Sequence, residues 1–386
     1  MKNSVFDFDT VIDRRNTNSE RWDKYKGRDI IPLWVADMDF SSPPAILEAL
    51  HRRVRHGVFG YTHPSQGLMD AVIVHLERDF AWHVKAEWIV WLPGLVCGLN
   101  VLCRSVGEID DEVISFTPIY PPFLSAPGLS QRTLVSVPLQ RENDRWVIDL
   151  DALERAITPR TKLLLLCSPH NPVGRAWSRE ELLKLAGICE RNNLIIGSDD
   201  IHAGLELVEN RRHIPMATLS EGIASRTITL LAPSKTYNIP GLGCAFAIIS
   251  DPGLRRSFKN AMGRIVPHVN LFGFTAAEAA YRDCDMWRQA LLAYLRGNHE
   301  LVAETIARMP GFFMTPVEAT YLAWIDARQS GLEHPVRFFE DAGVGLSDGA
   351  DFGAPGFVRL NFGCARALLE DALQRMEQSI ADRSQK

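Results

Sequence analysis

Short apolar runs bounded by Gly, Pro, Asn and Asp recur through the first two thirds of the chain, and stretches with helical periodicity separate them. Strands are predicted at 88–92, 113–116, 133–137, 161–166, a run ending near 197, 228–231 and 245–249. Between them, Ser42 with Pro43 and Pro44 reads as a helix start, and Ile46, Leu47, Leu50 and Val54 then share one face. Further helices are predicted from Gly94 to about 106, at 150–157 behind an Asp149 cap, and from the Ser178/Glu181 capping box to about 191. Others follow at 252–262, 275–281 and 286–309. Strand and helix in alternation imply an α/β unit with a mostly parallel sheet. The C-terminal part, with strands at 321–325 and 357–361 and helices at 335–342 and 367–380, reads as α+β. Residues 1–40 are irregular apart from a turn at 16–19 and an apolar piece at 30–35. The expected division is an arm at 1–45 associated with the small domain, a large domain at 46–285 and a small one at 286–386, with no internal repeats.

Polar groups gather where the predicted strands end. The run at 228–231 leads to Ser234-Lys235, the run ending near 197 to Asp199, and the run at 161–166 to Asn171. In open α/β sheets such ends line one crevice, so Asn, Asp and Lys converge there. A partly desolvated amine has a lowered pKa and condenses with an aldehyde, although Ser234-Lys235 read alone also fits a solvated loop lysine. Pyridoxal phosphate needs this set: the amine for its aldehyde, a carboxylate for its ring nitrogen and a neutral donor for its ring oxygen. A glycine turn opening the helix at Leu95 and Val96 offers backbone N–H groups to a phosphate. On the residues alone, Asp37 and Asp39 read as solvated acids.

Composition narrows the class. The chain has 386 residues, 46% of them hydrophobic, and a net charge of −5, which suits an ordinary large enzyme and gives no basic tract for nucleic acid. Neither a leader-like apolar segment nor a bilayer-length run is present, and the seven cysteines lack metal-type spacing, so a cytoplasmic protein with reduced thiols and no metal is expected.

Longer motifs carry a resemblance. Val11 to Arg15, Trp22 to Tyr25, Leu33 to Phe40 (LWVADMDF), His56 to Thr62 (HGVFGYT), Tyr120-Pro121-Pro122-Phe123, His170 to Gly174, Ser198 to His202, Ser234 to Asn238 and Arg359 to Cys364 (RLNFGC) run almost end to end. With them the chain resembles the fold-type I pyridoxal-phosphate enzymes of the class I/II aminotransferase superfamily, and within these the MalY/PatB group of cystathionine β-lyases. The resemblance implies a mostly parallel seven-stranded sheet between helices plus a smaller α+β domain. It implies Lys235 as the catalytic amine, Asp199 at the ring nitrogen, and Asn171 and His202 at the ring oxygen. Tyr120 stacks on the ring, with Ser234, Leu95 and Val96 as further cofactor contacts. Arg359 takes the α-carboxylate of an amino-acid substrate, and Ala36 and Asp37 lie near it. Tyr61 reaches the partner's phosphate in a homodimer with shared sites. On the residues alone, Tyr120, Tyr61 and His202 also fit structural roles.

The implied activity is β-elimination from L-cystathionine or related cysteine S-conjugates, with class I/II transamination and a cofactor-binding regulatory role as alternatives. The segment Gly241-Leu242-Gly243-Cys244 lacks the arginine that aspartate-type transaminases carry there, which agrees with the lyase group. Within that group the chain departs at Asp200, where Glu is expected, and at Cys97 and Ala365, where Pro is expected.

Overall fold

The computed structural model describes residues 6–384. Seven strands form its main sheet: β1 (Ile89–Leu92), β2 (Glu112–Thr117), β3 (Thr133–Pro138), β4 (Thr161–Cys167), β5 (Ile195–Asp199), β6 (Thr227–Leu231) and β7 (Ala245–Ile248). Their order is β1-β7-β6-β5-β4-β2-β3. The pairs from β6 through β5, β4 and β2 to β3 are parallel, and β7 runs antiparallel to both β1 and β6. Burial on both faces explains the near-continuous apolar runs. Leu164 and Leu166 of β4 enter one core with Ile114 and Ile196, while Leu163 and Leu165 enter another with Leu99, Leu102 and Ile228.

Close packing fixes the helix Leu95–Ser105 on this sheet. A Cβ added at Gly197 would lie 2.6 Å from Leu102 Cδ1, and one at Gly98 would lie 3.0 Å from Leu92 Cδ1. Because neither position carries a side chain, the helix start is held at the carboxyl ends of the strands.

The smaller sheet is antiparallel: β8 (Phe313–Met314), β9 (Leu322–Asp326), β10 (Ser347–Asp348) and β11 (Phe357–Asn361), in the order β8-β9-β11-β10. The helices Asp285–Arg308 and Arg366–Ser384 pack against it. The early chain returns to this region, since Ile31 and Pro32 pair in parallel with Val344 and Gly345.

Some local expectations change. Pro43 occupies the N-cap of Pro44–His56 with no side-chain bond, because Ser42 Oγ donates instead to Asn238 O at 3.0 Å. Ile46 and Ala49 make the buried face of that helix, whereas Leu47 and Val54 are exposed. A helix at Gln66–Phe80 was absent from the periodicity reading; Ser65 Oγ caps it by accepting from Leu68 N at 2.9 Å. A helix at Pro121–Leu129 is likewise absent from the elements predicted above. Leu271–Asp283 begins four residues before the predicted 275 because Asn270 Oδ1 accepts from Gly273 N at 2.8 Å. Of the irregular segment 1–40, residues 1–5 lie outside the described residues. No helix among the described residues is long and apolar enough to cross a membrane.

Candidate active site

Parallel strands end on one side of the main sheet, and a cavity of about 610 Å³ opens there. β6 delivers Ser234 and Lys235, β5 ends in Asp199 with His202 just beyond, and β4 leads to Asn171. β2 leads to Tyr120, and β1 to the turn Pro93-Gly94 that starts the helix at Leu95. No side chain caps that helix, so its first N–H groups, at Leu95 and Val96, remain for a ligand. From the small sheet, β11 brings Arg359 to the same cavity.

Charge in this cavity is unbalanced at short range. Asp199 is buried; its Oδ1 accepts from Ile201 N at 3.1 Å, and it forms no ion pair among the described residues. Burial pushes its pKa up to about 7, the adjacent Asp200 charge adds to this, and the Ile201 N–H and the Lys235 charge oppose it. Arg359 is 5% exposed. Its Nη1 donates to Asn171 Oδ1 at 3.1 Å, and its Nη2 to Trp34 O at 2.8 Å and Ser347 Oγ at 3.2 Å. Its Nε finds no partner, and burial lowers its pKa to about 10. Lys235 is half-buried and donates to the Ala36 carbonyl. Burial lowers its pKa to about 8, Asp37 opposes that shift and the Arg359 charge reinforces it. His202 is held neutral to about pH 3 by burial and by the charges of Lys235 and Arg359, and its Nδ1 is unpartnered.

Asp200 faces the other way. Its Oδ1 accepts from Ser198 Oγ, and its Oδ2 meets His213 Nε2 at 2.6 Å, in a fully buried arrangement that leaves Asp199 alone at the cavity.

Residues 33–40 form a strap across the site, and its anchors read mostly its backbone. Asn361 Nδ2, two residues past Arg359, donates to Asp37 O at 2.6 Å and Val35 O at 2.5 Å. Asn238, three residues past Lys235, accepts from Met38 N at 3.0 Å and donates to Met38 O at 2.9 Å and Phe40 O at 2.8 Å. Tyr321 Oη donates to Ala36 O at 3.0 Å. Asp37 and Asp39, expected as solvated acids, are ion-paired. Arg14 meets Asp37 Oδ2 and Asp39 Oδ1 at 2.7 Å each, and the fully buried Arg21 lies 3.2 Å from Asp39 Oδ2 and 3.6 Å from Asp37 Oδ1. Two arginines far upstream make that burial tolerable, a pairing no local pattern reveals.

Of the residues singled out from sequence, Leu95, Val96, Tyr120, Asn171, Asp199, His202, Ser234, Lys235, Arg359 and Ala36 line the cavity. Asp37 does not, because its carboxylate is turned to the arginines. Tyr61 is fully exposed and lies outside the cavity of its own chain. Glu20, Lys24, Trp34, Asp351 and Phe352 also line it; Trp34 lies within the LWVADMDF motif, but none of the five was singled out as a site residue from sequence.

The architecture and strand-end constellation define a fold-type I enzyme. A family model described as aminotransferase class I and II matches residues 28–376, and the chain belongs to that family. It is 38% identical over 386 residues to the cystathionine beta-lyase PatB of Bacillus subtilis (strain 168), covering 97% of this chain and 100% of that one. The crystal structure of OvoB superposes with a TM-score of 0.95 at 46% identity, covering 97% of this chain and 99% of the other. Cystalysin from Treponema denticola, whose structure contains a pyridoxal 5'-phosphate cofactor, matches with a TM-score of 0.94 at 31% identity over 98% of this chain and 99% of the other.

Proposed function

We propose that this chain is a pyridoxal-phosphate-dependent carbon–sulfur β-lyase that cleaves L-cystathionine or related cysteine S-conjugates to a thiol, pyruvate and ammonia. The observation that carries it is the convergence of Lys235, Asp199 and Arg359 on one cavity, the acid without a cation and the arginine without an acid. These residues fit the cofactor. The uncapped N–H groups of Leu95 and Val96 suit a phosphate, the buried Asp199 carboxylate suits a protonated ring nitrogen, and Tyr120 beside the cavity suits a flat ring. When bound, the cofactor supplies an aldehyde for the amine and a ring that draws electrons from Cα.

The chain's own residues do the rest. Arg359 holds the α-carboxylate through its charge and its unpartnered Nε and thereby fixes Cα relative to Lys235. Lys235, with its pKa lowered to about 8, takes the Cα proton near neutral pH, and the Cβ–S bond then breaks with its electron pair on sulfur. Water completes the release of pyruvate and ammonia. L-Cystathionine itself is the substrate proposed for the particular activity. A homodimer with shared sites is proposed alongside, supported by the exposed Val58, Phe59 and Tyr61 on one loop. Location in the cytoplasm is supported by seven free cysteines.

The test is cofactor-loaded protein with L-cystathionine and no 2-oxo acid, following pyruvate, ammonia and thiol together. Equal release of all three is expected; no products until a 2-oxo acid is added would make the protein an aminotransferase. Lys235→Ala is expected to lose both turnover and the visible absorption of the bound cofactor, and full activity in that variant would overturn the assignment of the base.

A further inference from the structure

Asp199 and Asp200 are consecutive, so their side chains leave the end of β5 on opposite sides, and only Asp199 reaches the cavity. The backbone joining them is held from both neighbouring strands. Ser168 N donates to Asp199 O at 3.0 Å, and Asp200 N donates to Leu230 O at 2.9 Å. Leu230 pairs with Asp199 in the sheet and lies on the strand that leads to Lys235. Behind this junction Asp200 and His213 are both buried. Ser198 Oγ donates to one Asp200 oxygen, and His213 Nε2 meets the other at 2.6 Å. Among the described residues no other cation pairs with Asp200.

His213 comes from the chain between β5 and β6, and its surroundings are mixed in charge. The Phe80 ring meets it edge-on with centroids 5.5 Å apart, and Arg211 and Arg212 precede it. It borders a cavity of about 310 Å³ that Arg78, Asp79, Glu206, Asp285, Arg288 and Arg296 also line. Burial opposes a proton on His213, but the charge and hydrogen bond of Asp200, with the charge of Glu206, raise its pKa. An ionised carboxylate can only accept, so Nε2 is the donor to Asp200. Without that donor Asp200 would be a buried acid with a single hydroxyl for company, and such an acid takes up a proton.

From this arrangement we infer that His213 is a positioning residue for the reaction: by holding Asp200 ionised it keeps a second negative charge behind Asp199, and the two acids together hold the proton on the cofactor's ring nitrogen. The inference rests on the placing of Asp199 at that nitrogen proposed above, and extends it to the acid and the histidine behind. Roughly 10 Å from a proton, one charge at the effective dielectric of a protein changes the affinity by about one pH unit, or tenfold. The effect falls on kcat, because the ring's pull on the Cα electrons is used in bond breaking, whereas Arg359 and the α-carboxylate are untouched.

The experiment compares His213→Phe, His213→Gln, Asp200→Asn and the double variant of His213→Phe with Asp200→Asn, all loaded with cofactor, beside Asp199→Asn as the reference. The readouts are the pH midpoint of the bound cofactor's visible absorption, cofactor Kd, and kcat and KM for L-cystathionine. His213→Phe and Asp200→Asn are each expected to lower the midpoint by about one unit and kcat about tenfold with KM within about twofold, and the double variant to be no worse than either. His213→Gln, whose amide still donates to Asp200, is expected to stay within about threefold of the unsubstituted protein. Packing alone predicts the reverse ranking, because Phe keeps a ring against Phe80 and Gln does not. Gln as damaging as Phe, multiplied losses in the double variant, or an unmoved midpoint in both single variants would overturn the inference and leave the lyase reading standing. Should His213→Phe fail to fold, Asp200→Asn and His213→Gln decide by the same criteria, and the midpoint and Kd decide without turnover. If Asp199→Asn changes neither midpoint nor Kd, the placing of Asp199 fails and takes the inference with it.

Discussion

A buried guanidinium with an unpartnered Nε is costly unless a ligand completes it, and Arg359 is held in that state by Asn171, Ser347 and the Trp34 carbonyl. Arg359→Lys removes the planar fork while keeping the charge. It is expected to raise KM for the amino-acid substrate by about ten- to a hundredfold with a smaller effect on kcat, measured by initial rates. Away from the cavity, Glu206 is also buried, with Oε1 unpartnered, and burial raises its pKa to about 7. The folded state therefore keeps a proton that the unfolded chain gives up above its ordinary pKa of about 4.5. Stability from this proton is fully present below that value and is lost as pH rises toward and through 7. Glu206→Gln mimics the protonated acid, so it is expected to raise stability by up to about 3 kcal/mol at pH 8 and to be near neutral at pH 4.5, read from urea melts at both values. Lys235, Asp199 and Asn171 were legible because polar groups gathered where an apolar run ends are conspicuous, and Arg359 because the RLNFGC motif carries it. Glu20 and Asp351 were not, because only the tertiary path brings the arm and the turn after β10 to one cavity.

At the scale of elements, the strap is where sequence and structure part. Its length and apolar character are visible, but the pairing of Asp37 and Asp39 with Arg14 and Arg21 is long-range in side-chain terms and follows no helical or strand period. Arg21→Ala leaves Asp39 buried with only Arg14 and the Trp22 indole, which donates to it at 2.9 Å. A loss of about 3–5 kcal/mol is expected by denaturant titration. The helix Gln66–Phe80 went unread because its Ser65 cap lies in a polar stretch, and its buried Leu68, Val72, His75 and Leu76 include a histidine that blurs the apolar stripe. The sheet strands were readable within a residue or two because burial on both faces leaves long unbroken apolar runs. Gly197 shows the tightness of that packing. Gly197→Ala places a methyl against Leu102 and is expected to cost about 1–3 kcal/mol in thermal unfolding, with the cofactor's absorbance the readout for a shifted helix start.

Across the whole molecule, exposed large apolar residues recur along the chain from Leu47 to Tyr61, at Leu47, Val54, Val58, Phe59 and Tyr61. Light scattering is expected to give twice the 43.3 kDa chain mass, and Tyr61→Ala is expected to weaken cofactor retention in the assembled protein, followed by dialysis and absorbance. A monomeric mass at micromolar concentration would remove the second copy from the account of the site.

The strap at 33–40 behaves as a ruler. Asn238, Asn361, Tyr321 and Lys235 all mark it by its backbone groups, and they come from the loop after β6, the end of β11 and the residue before β9. A ruler tolerates new lettering but not a missing graduation. Exchanging the apolar side chain of Val35 for a smaller one leaves every mark in place, whereas deleting a single residue there slides each carbonyl past its reader and separates the span that holds Lys235 from the span that holds Arg359. Length, more than spelling, is what this stretch of chain transmits.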